Sequence, residues 1–405
     1  MRGIRLHIYG GAEVKWEEIE RRDREGSSDW SGETRCTHEA NETYLNNEMV
    51  LFGKETLLII LEENKKKEEN LKIEIENLET SGQKGDNPTL PAGSYTFPFR
   101  YQLPYSLPPS FEGSVGRIRY WITGTIDKPW KFDDRTKKVF TVAGQLDLNQ
   151  RPEAMKVLRG EDEIYICCLC CESGPISCNF ELDRSGYVPG ESIPIKAKIT
   201  NHSNRTIRGS SAVLYSMVTY YATTKSKTEE NIIGKLSHRR ILPGDSDTWN
   251  GDLLPIPPLP PSDQRGCRII GIEYYVKFSV VPTGPASQLD IRLKIIIGTI
   301  PLLPGIGEPI PPSYGPGQWQ LHQGRVQAFA PPTTSQPTPT YAESTFGKVN
   351  IRDVDDTEYT KGDTDYAPMY AYYNEGSRAE PSAPPQYLDA STSPVTTLKP
   401  PVTHQ

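Results

Sequence analysis

Ile4, Leu6 and Ile8 alternate with Arg5, His7 and Tyr9. A period of two is the signature of a strand with one buried face, so residues 3–16 read as strand. Residues 17–50 are charged and marked by Gly and Ser, and read as a loop. Residues 62–79 carry Leu71, Ile75 and Leu78 at helical spacing and Leu71, Ile73 and Ile75 in alternation. They fit a solvated excursion or a partner helix. From Pro91 to Val142 the pattern is strand after strand: Tyr95–Tyr101, then Gly116–Ile126, closed by Phe140 and Val142. The LPYSLPPSFEG connection between the first two is too rich in proline for a helix. Gln150-Arg151-Pro152 reads as a linker. A second block follows, with candidate strands at 163–171, 176–183, 192–200, 206–222, 247–254, 269–281 and 288–297. Turn signals separate them at Gly186, Pro189-Gly190, Pro243-Gly244 and Pro282–Pro285. Short strands with such punctuation predict an all-β sandwich, and 269–297 reads as its clearest hairpin.

Composition changes after Leu303. Residues 301–405 hold 17 Pro and 8 Tyr, and from 316 onward only 12 Val, Ile, Leu, Met and Phe. Such a stretch buries too little apolar area to offset chain entropy and is expected to be disordered, with a polyproline bias. The predicted domains are therefore 1–150, 151–303 and a tail, 304–405. Net charge is −7, with 11 acidic and 6 basic residues after position 300. A mildly acidic chain lacks the basic face of a nucleic-acid binder. No signal segment or apolar run long enough to span a bilayer is visible, so the chain reads as soluble and cytoplasmic. The sequons at Asn41, Asn201 and Asn204 are then expected to be idle.

Seven cysteines, an odd number, fit a reducing compartment. Cys167, Cys168, Cys170 and Cys171 sit beside Ile164, Tyr165 and Ile166. In a strand such neighbours point to opposite faces, so the cluster reads as strand residues ahead of a lipidation or zinc site. No nucleophile elbow, phosphate loop or metalloprotease motif is present, and catalysis and cofactors are not expected. Arg117, Arg119, Lys128 and Lys131 offer basic positions to an acidic partner, or simply a solvated strand face.

The sharpest motif is short. Pro311-Pro312-Ser313-Tyr314 and Pro384-Pro385-Gln386-Tyr387 are both Pro-Pro-x-Tyr. Paired prolines pre-set an extended helix, which an aromatic-lined WW groove takes with little entropy loss, and the tyrosine fills an adjoining slot. Pro339-Thr340-Tyr341 is a degenerate third copy. Tyr314 and Tyr387 are 73 residues apart, a span of roughly 45–50 Å if the tether is flexible. Tandem WW domains would then gain avidity.

These residues lead to a family. Residues 3–16, 90–113 and 116–132 in the first block resemble the α-arrestins (arrestin domain-containing proteins). So do 173–195, 199–207 and 295–302 in the second. The resemblance implies two arrestin-type immunoglobulin-like β-sandwich domains followed by the Pro/Tyr-rich tail. It implies an adaptor whose body engages membrane receptors or transporters and whose tail recruits WW-domain HECT ubiquitin ligases. Pro311, Pro312, Tyr314, Pro384, Pro385 and Tyr387 would be the ligase-binding positions. Cargo would be ubiquitinated and sorted from plasma membrane to endosomes. An arrestin-fold trafficking or signalling scaffold working without a ligase is the alternative. Family members carry several strands ahead of the segment matching Gly11 to Trp16, so the first sandwich is expected to lack strands, with unpaired edges. Residues 62–87 read as a charged insertion.

Overall fold

The computed structural model describes residues 3–22, 32–53, 93–128, 132–168, 171–172, 174–284, 288–303, 340–344, 348–352, 356, 358, 360–362 and 365–373. Residues 62–87 and both Pro-Pro-x-Tyr motifs lie outside them.

The N-terminal block contains β1 (Gly3–Arg22), β2 (Gly32–Gly53), β3 (Phe111–Glu112), β4 (Gly116–Asp127) and β5 (Asp134–Phe140). The order is β5-β4-β1-β2, all antiparallel, with β3 also on β4. Ile8, Val14, Ile118 and Tyr120 are buried, as the alternation predicts. Gly10 is required because a Cβ there would overlap the Tyr120 ring. That ring's hydroxyl donates to the Pro108 carbonyl at 2.7 Å.

Two expectations fail here. The loop predicted at 17–50 is mostly strand: β1 runs on to Arg22 and β2 pairs with it along its length, from Gly3↔Gly53 to Arg22↔Gly32. Among the described side chains of β2 only Leu45 and His38 are buried, so charge drowns the period-two signal. Conversely, Tyr95–Tyr101 is not a strand but an extended, mostly exposed connection.

The second block is a two-sheet sandwich. Its strands are β6 (Leu158–Ile164), β7 (Cys167–Cys168), β8 (Cys171–Glu172), β9 (Ile176–Leu182), β10 (Gly186–Tyr187), β11 (Ser192–Asn201), β12 (Ile207–Tyr221), β13 (Ser226–His238), β14 (Ser246–Pro255), β15 (Ile270–Pro282) and β16 (Leu289–Ile297). One sheet has the order β10-β16-β15-β12-β13 and the other β14-β11-β9-β6. The strand expected at 163–171 is instead the end of β6 followed by a small β7–β8 hairpin. The core between the sheets is aromatic. Phe180 stacks on Phe278 with centroids 5.1 Å apart, and Trp249 meets Phe278 edge-on at 5.3 Å. Trp249 Nε1 donates to Ser210 Oγ at 3.0 Å, satisfying the one polar atom that this ring buries.

The blocks join through the predicted linker, which winds into two short 3-10 turns, Leu148–Gln150 and Pro152–Met155. They also meet directly. Arg268 Nε donates to Glu42 Oε1 at 2.7 Å, Lys225 pairs with Glu18, and Tyr220 packs against Val14 and Gly116.

The largest departure concerns the tail. Residues after 303 were expected to be disordered throughout, yet part of the segment 340–373 is folded onto the body. It forms β17 (Thr340–Glu343), β18 (Val349–Asn350), β19 (Thr360–Lys361), β20 (Asp365–Tyr366) and β21 (Met369–Tyr372). β17 pairs with β21, β18 with β20, and β19 joins the first sheet in parallel on β5. The degenerate motif at Pro339-Thr340-Tyr341 therefore has its Thr and Tyr in a ladder, not in a polyproline helix.

Candidate functional site at the domain junction

The folded part of the tail lies where the linker, the first sheet and the second sandwich converge. Tyr366 meets Thr141 through their hydroxyls at 3.1 Å, and the Met369 N–H donates to Thr141 Oγ1 at 3.2 Å. The Tyr370 hydroxyl donates to the Ser110 carbonyl at 3.0 Å. Three residues on, the Tyr373 N–H donates to the Pro189 carbonyl at 2.9 Å and its hydroxyl to the Thr299 carbonyl at 2.7 Å. Tyr370 is thus fixed to the first block and Tyr373 to the second. Ala371 and Tyr373 complete a small apolar cluster with Leu146, Leu148, Ala154 and Val188, against which Leu302 packs. Ile351 is fully buried.

Burial sets the acidity of these phenols. It pushes Tyr373 up to about 12, Tyr370 well above the usual range, and raises Tyr366 as well. All three stay neutral near pH 7, and Tyr370 and Tyr373 keep the proton that each donates to a carbonyl.

Electrostatics tie the same segment to β5. Lys137 is 5 % exposed, lies 4.4 Å from the Trp121 ring centroid and pairs with Asp356 at 3.4 Å. Trp121 in turn lies against Tyr9, the two rings tilted with centroids 4.4 Å apart. The basic positions expected to meet a partner are otherwise engaged. Arg119 grips Glu112 in a buried bidentate pair at 2.6 and 2.9 Å. Arg117 pairs with Glu13 at 2.6 Å and Lys128 with Asp134, while Lys131 lies outside the described residues.

Pro311, Pro312, Tyr314, Pro384, Pro385 and Tyr387 also lie outside the described residues. Sequence reading missed the junction residues because their aromatic content is tyrosine. The signal that marks them is Tyr366-x-x-x-Tyr370-x-x-Tyr373 after an acidic run, Asp353 to Asp365. Cys178 is buried in β9 and its thiol is pushed up to about 12 by burial. Among the described residues no three ligand-type side chains converge as a metal site would require. No helix among them is long and apolar enough to cross a membrane.

Comparison with known proteins places this geometry. Residues 58–149 match the arrestin (or S-antigen) N-terminal domain and residues 172–302 the arrestin C-terminal domain. The stretch 3–16 lies ahead of the first match. Mouse arrestin domain-containing protein 4 is 35 % identical over 213 residues, covering 52 % of this chain and 50 % of that protein. Caenorhabditis elegans arrestin domain-containing protein 17 is 33 % identical over 219 residues, covering 53 % and 50 %. Pig thioredoxin-interacting protein is 28 % identical over 210 residues, covering 52 % and 53 %. The chain spans about half the length of these curated relatives. With both domain matches on one chain and a nearly all-strand body, it belongs to the α-arrestin, or arrestin domain-containing, family.

Proposed function

We propose that this protein is a non-catalytic trafficking adaptor that couples WW-domain HECT ubiquitin ligases to membrane cargo. The observation that carries the reading is the presence of two Pro-Pro-x-Tyr motifs, Pro311–Tyr314 and Pro384–Tyr387, on the same chain as an arrestin body. The body would engage cytoplasmic parts of receptors or transporters. The motifs would dock the ligase, with Pro311, Pro312, Pro384 and Pro385 against the aromatic groove and Tyr314 and Tyr387 in the adjoining slot. The adaptor would be cytoplasmic and reach the plasma membrane and endosomes through its cargo. Two modest docking events on one chain give avidity without a new contact.

The test is a comparison of ubiquitin-modified surface proteins in cells expressing the full chain or its Tyr314→Ala/Tyr387→Ala variant at equal abundance. The adaptor reading predicts a set of surface proteins whose ubiquitination depends on the intact pair. Identical profiles would overturn it and favour a scaffold that uses no ligase.

A further inference from the structure

The folded part of 340–373 is a strap across the domain junction, and Tyr373 is its last described residue. Tyr366 and Tyr370 bond through their hydroxyls to Thr141 and Ser110 of the first block. The Tyr373 hydroxyl bonds instead to the Thr299 carbonyl, beyond β16, at 2.7 Å. Its ring lies among Leu146, Leu148, Ala154 and Val188. The β17–β21 ladder stops one residue short, at Thr340↔Tyr372. Tyr373 therefore lies past the last ladder pair, tied by its hydroxyl, by its N–H to Pro189 and by the apolar cluster.

We propose that Tyr373 is a phosphorylation site, and that a phosphate there unlatches the strap from the second block and bares the apolar corner beneath it. The inference is independent of the WW-docking reading, since it uses only contacts between strap and body. The reaction moves the terminal phosphoryl group of a nucleoside triphosphate onto the phenol oxygen. A new O–P bond forms, the bond to the nucleoside diphosphate breaks, and the hydroxyl proton passes to the base of the kinase. Nothing is oxidised or reduced. The product carries about −1.5 to −2 charges near pH 7.

The docked state excludes that group on three counts. The proton that the Thr299 carbonyl accepts is gone, so oxygen would face oxygen. The surrounding cluster is apolar, and burying a charge there is costly. Glu191 acts on the same hydroxyl as a like charge, held in place by Arg184 at 3.1 Å and by the Val188 N–H at 2.9 Å. The backbone has no slack to draw the ring aside, because Gly190 packs so closely that a Cβ on it would overlap the Tyr373 carbonyl oxygen. A kinase reaches the hydroxyl through the position of the residue. The end of a strap opens locally at low cost while the rest stays folded. A phosphate added during such an opening bars the return, so brief openings are captured.

The experiment treats the full chain with ATP and a protein-tyrosine kinase domain selected for phosphorylating Tyr373 in a synthetic peptide spanning 368–380. Mass spectrometry maps the phosphate. Energy transfer between a dye at Gly376 and one on the second sandwich reports release. A chain in which residues 340–373 are replaced by a Gly/Ser segment of equal length marks the fully released value. The proposal predicts phosphate on Tyr373 and a fall of energy transfer toward that value. A tyrosine phosphatase should restore the signal, and Tyr373→Phe should keep its energy transfer under the same treatment. A full chain left unmodified at Tyr373 while the peptide is modified would overturn the proposal. So would a phosphorylated Tyr373 with unchanged energy transfer, or release of the Tyr373→Phe chain.

Discussion

Gly190 sits at φ +98° directly against Tyr373, where a Cβ would overlap the Tyr373 carbonyl oxygen. Its N–H is already given to the Ile256 carbonyl at 2.8 Å. A turn of the second sandwich and the end of the strap are thus cut to fit one another. Gly190→Ala is expected to cost about 1–3 kcal/mol from the left-handed backbone alone, plus a further loss from displacing the strap. Urea unfolding of Gly190→Ala, alone and in the strap-replaced chain, separates the two. The second part should vanish when the strap is absent.

Alkali should release the strap. Tyr373 is raised to about 12 by burial and by nearby Tyr341 and Glu191, whereas a released tyrosine titrates near 10. The docked state then holds protons that the released state has given up. Its stability is complete below pH 10 and is lost as pH rises toward 12. Energy transfer across the strap, followed against pH with phenolate absorbance, should show release in that window. Tyr373→Phe should reduce the dependence without abolishing it, because burial also raises Tyr366 and Tyr370, and a pH-independent strap would contradict the assignment.

The buried Arg119–Glu112 pair predicts an asymmetry. Both side chains are 7 % exposed, so Arg119→Met strands a carboxylate away from water and should cost about 3–5 kcal/mol. Arg119→Met/Glu112→Leu should recover most of that loss in chemical denaturation, because neither charge is then buried alone.

The second sandwich should depend on one indole. Trp249 is 1 % exposed, stacks on His238 with centroids 3.8 Å apart, meets Phe278 and bonds Ser210. Trp249→Ala should destabilise the chain by about 3–5 kcal/mol. Leu253→Ala on the same strand, with Leu253 63 % exposed, should change little.

What the sequence revealed follows from what each element buries. β1, β9, β15 and β16 alternate because one face is core, as in the BeBeBeBiB burial of β16. β13 was missed because none of its residues is buried; it is an edge strand held by its ladder to β12, and charge hides its register. β2 was missed because Leu45 and His38 are its only buried side chains among those described, too few to show a period. The strap was missed because counting aliphatic residues asks whether a segment can build a core of its own. This one borrows the core of the body, through Ile351, Tyr366, Tyr370 and Tyr373. The two Pro-Pro-x-Tyr motifs lie outside the described residues, and their proposed docking is read from a local backbone preference and not from packing.

The central claim is that this arrestin body carries two WW-docking motifs that act together. The most direct measurement is a fluorescence anisotropy titration of a labelled tandem WW protein with the full chain, with Tyr314→Ala, with Tyr387→Ala and with both changes. The account predicts micromolar or tighter binding, weakened by each single change and lost in the double variant. Undiminished binding by the double variant, or no binding by the unmodified chain, would contradict it.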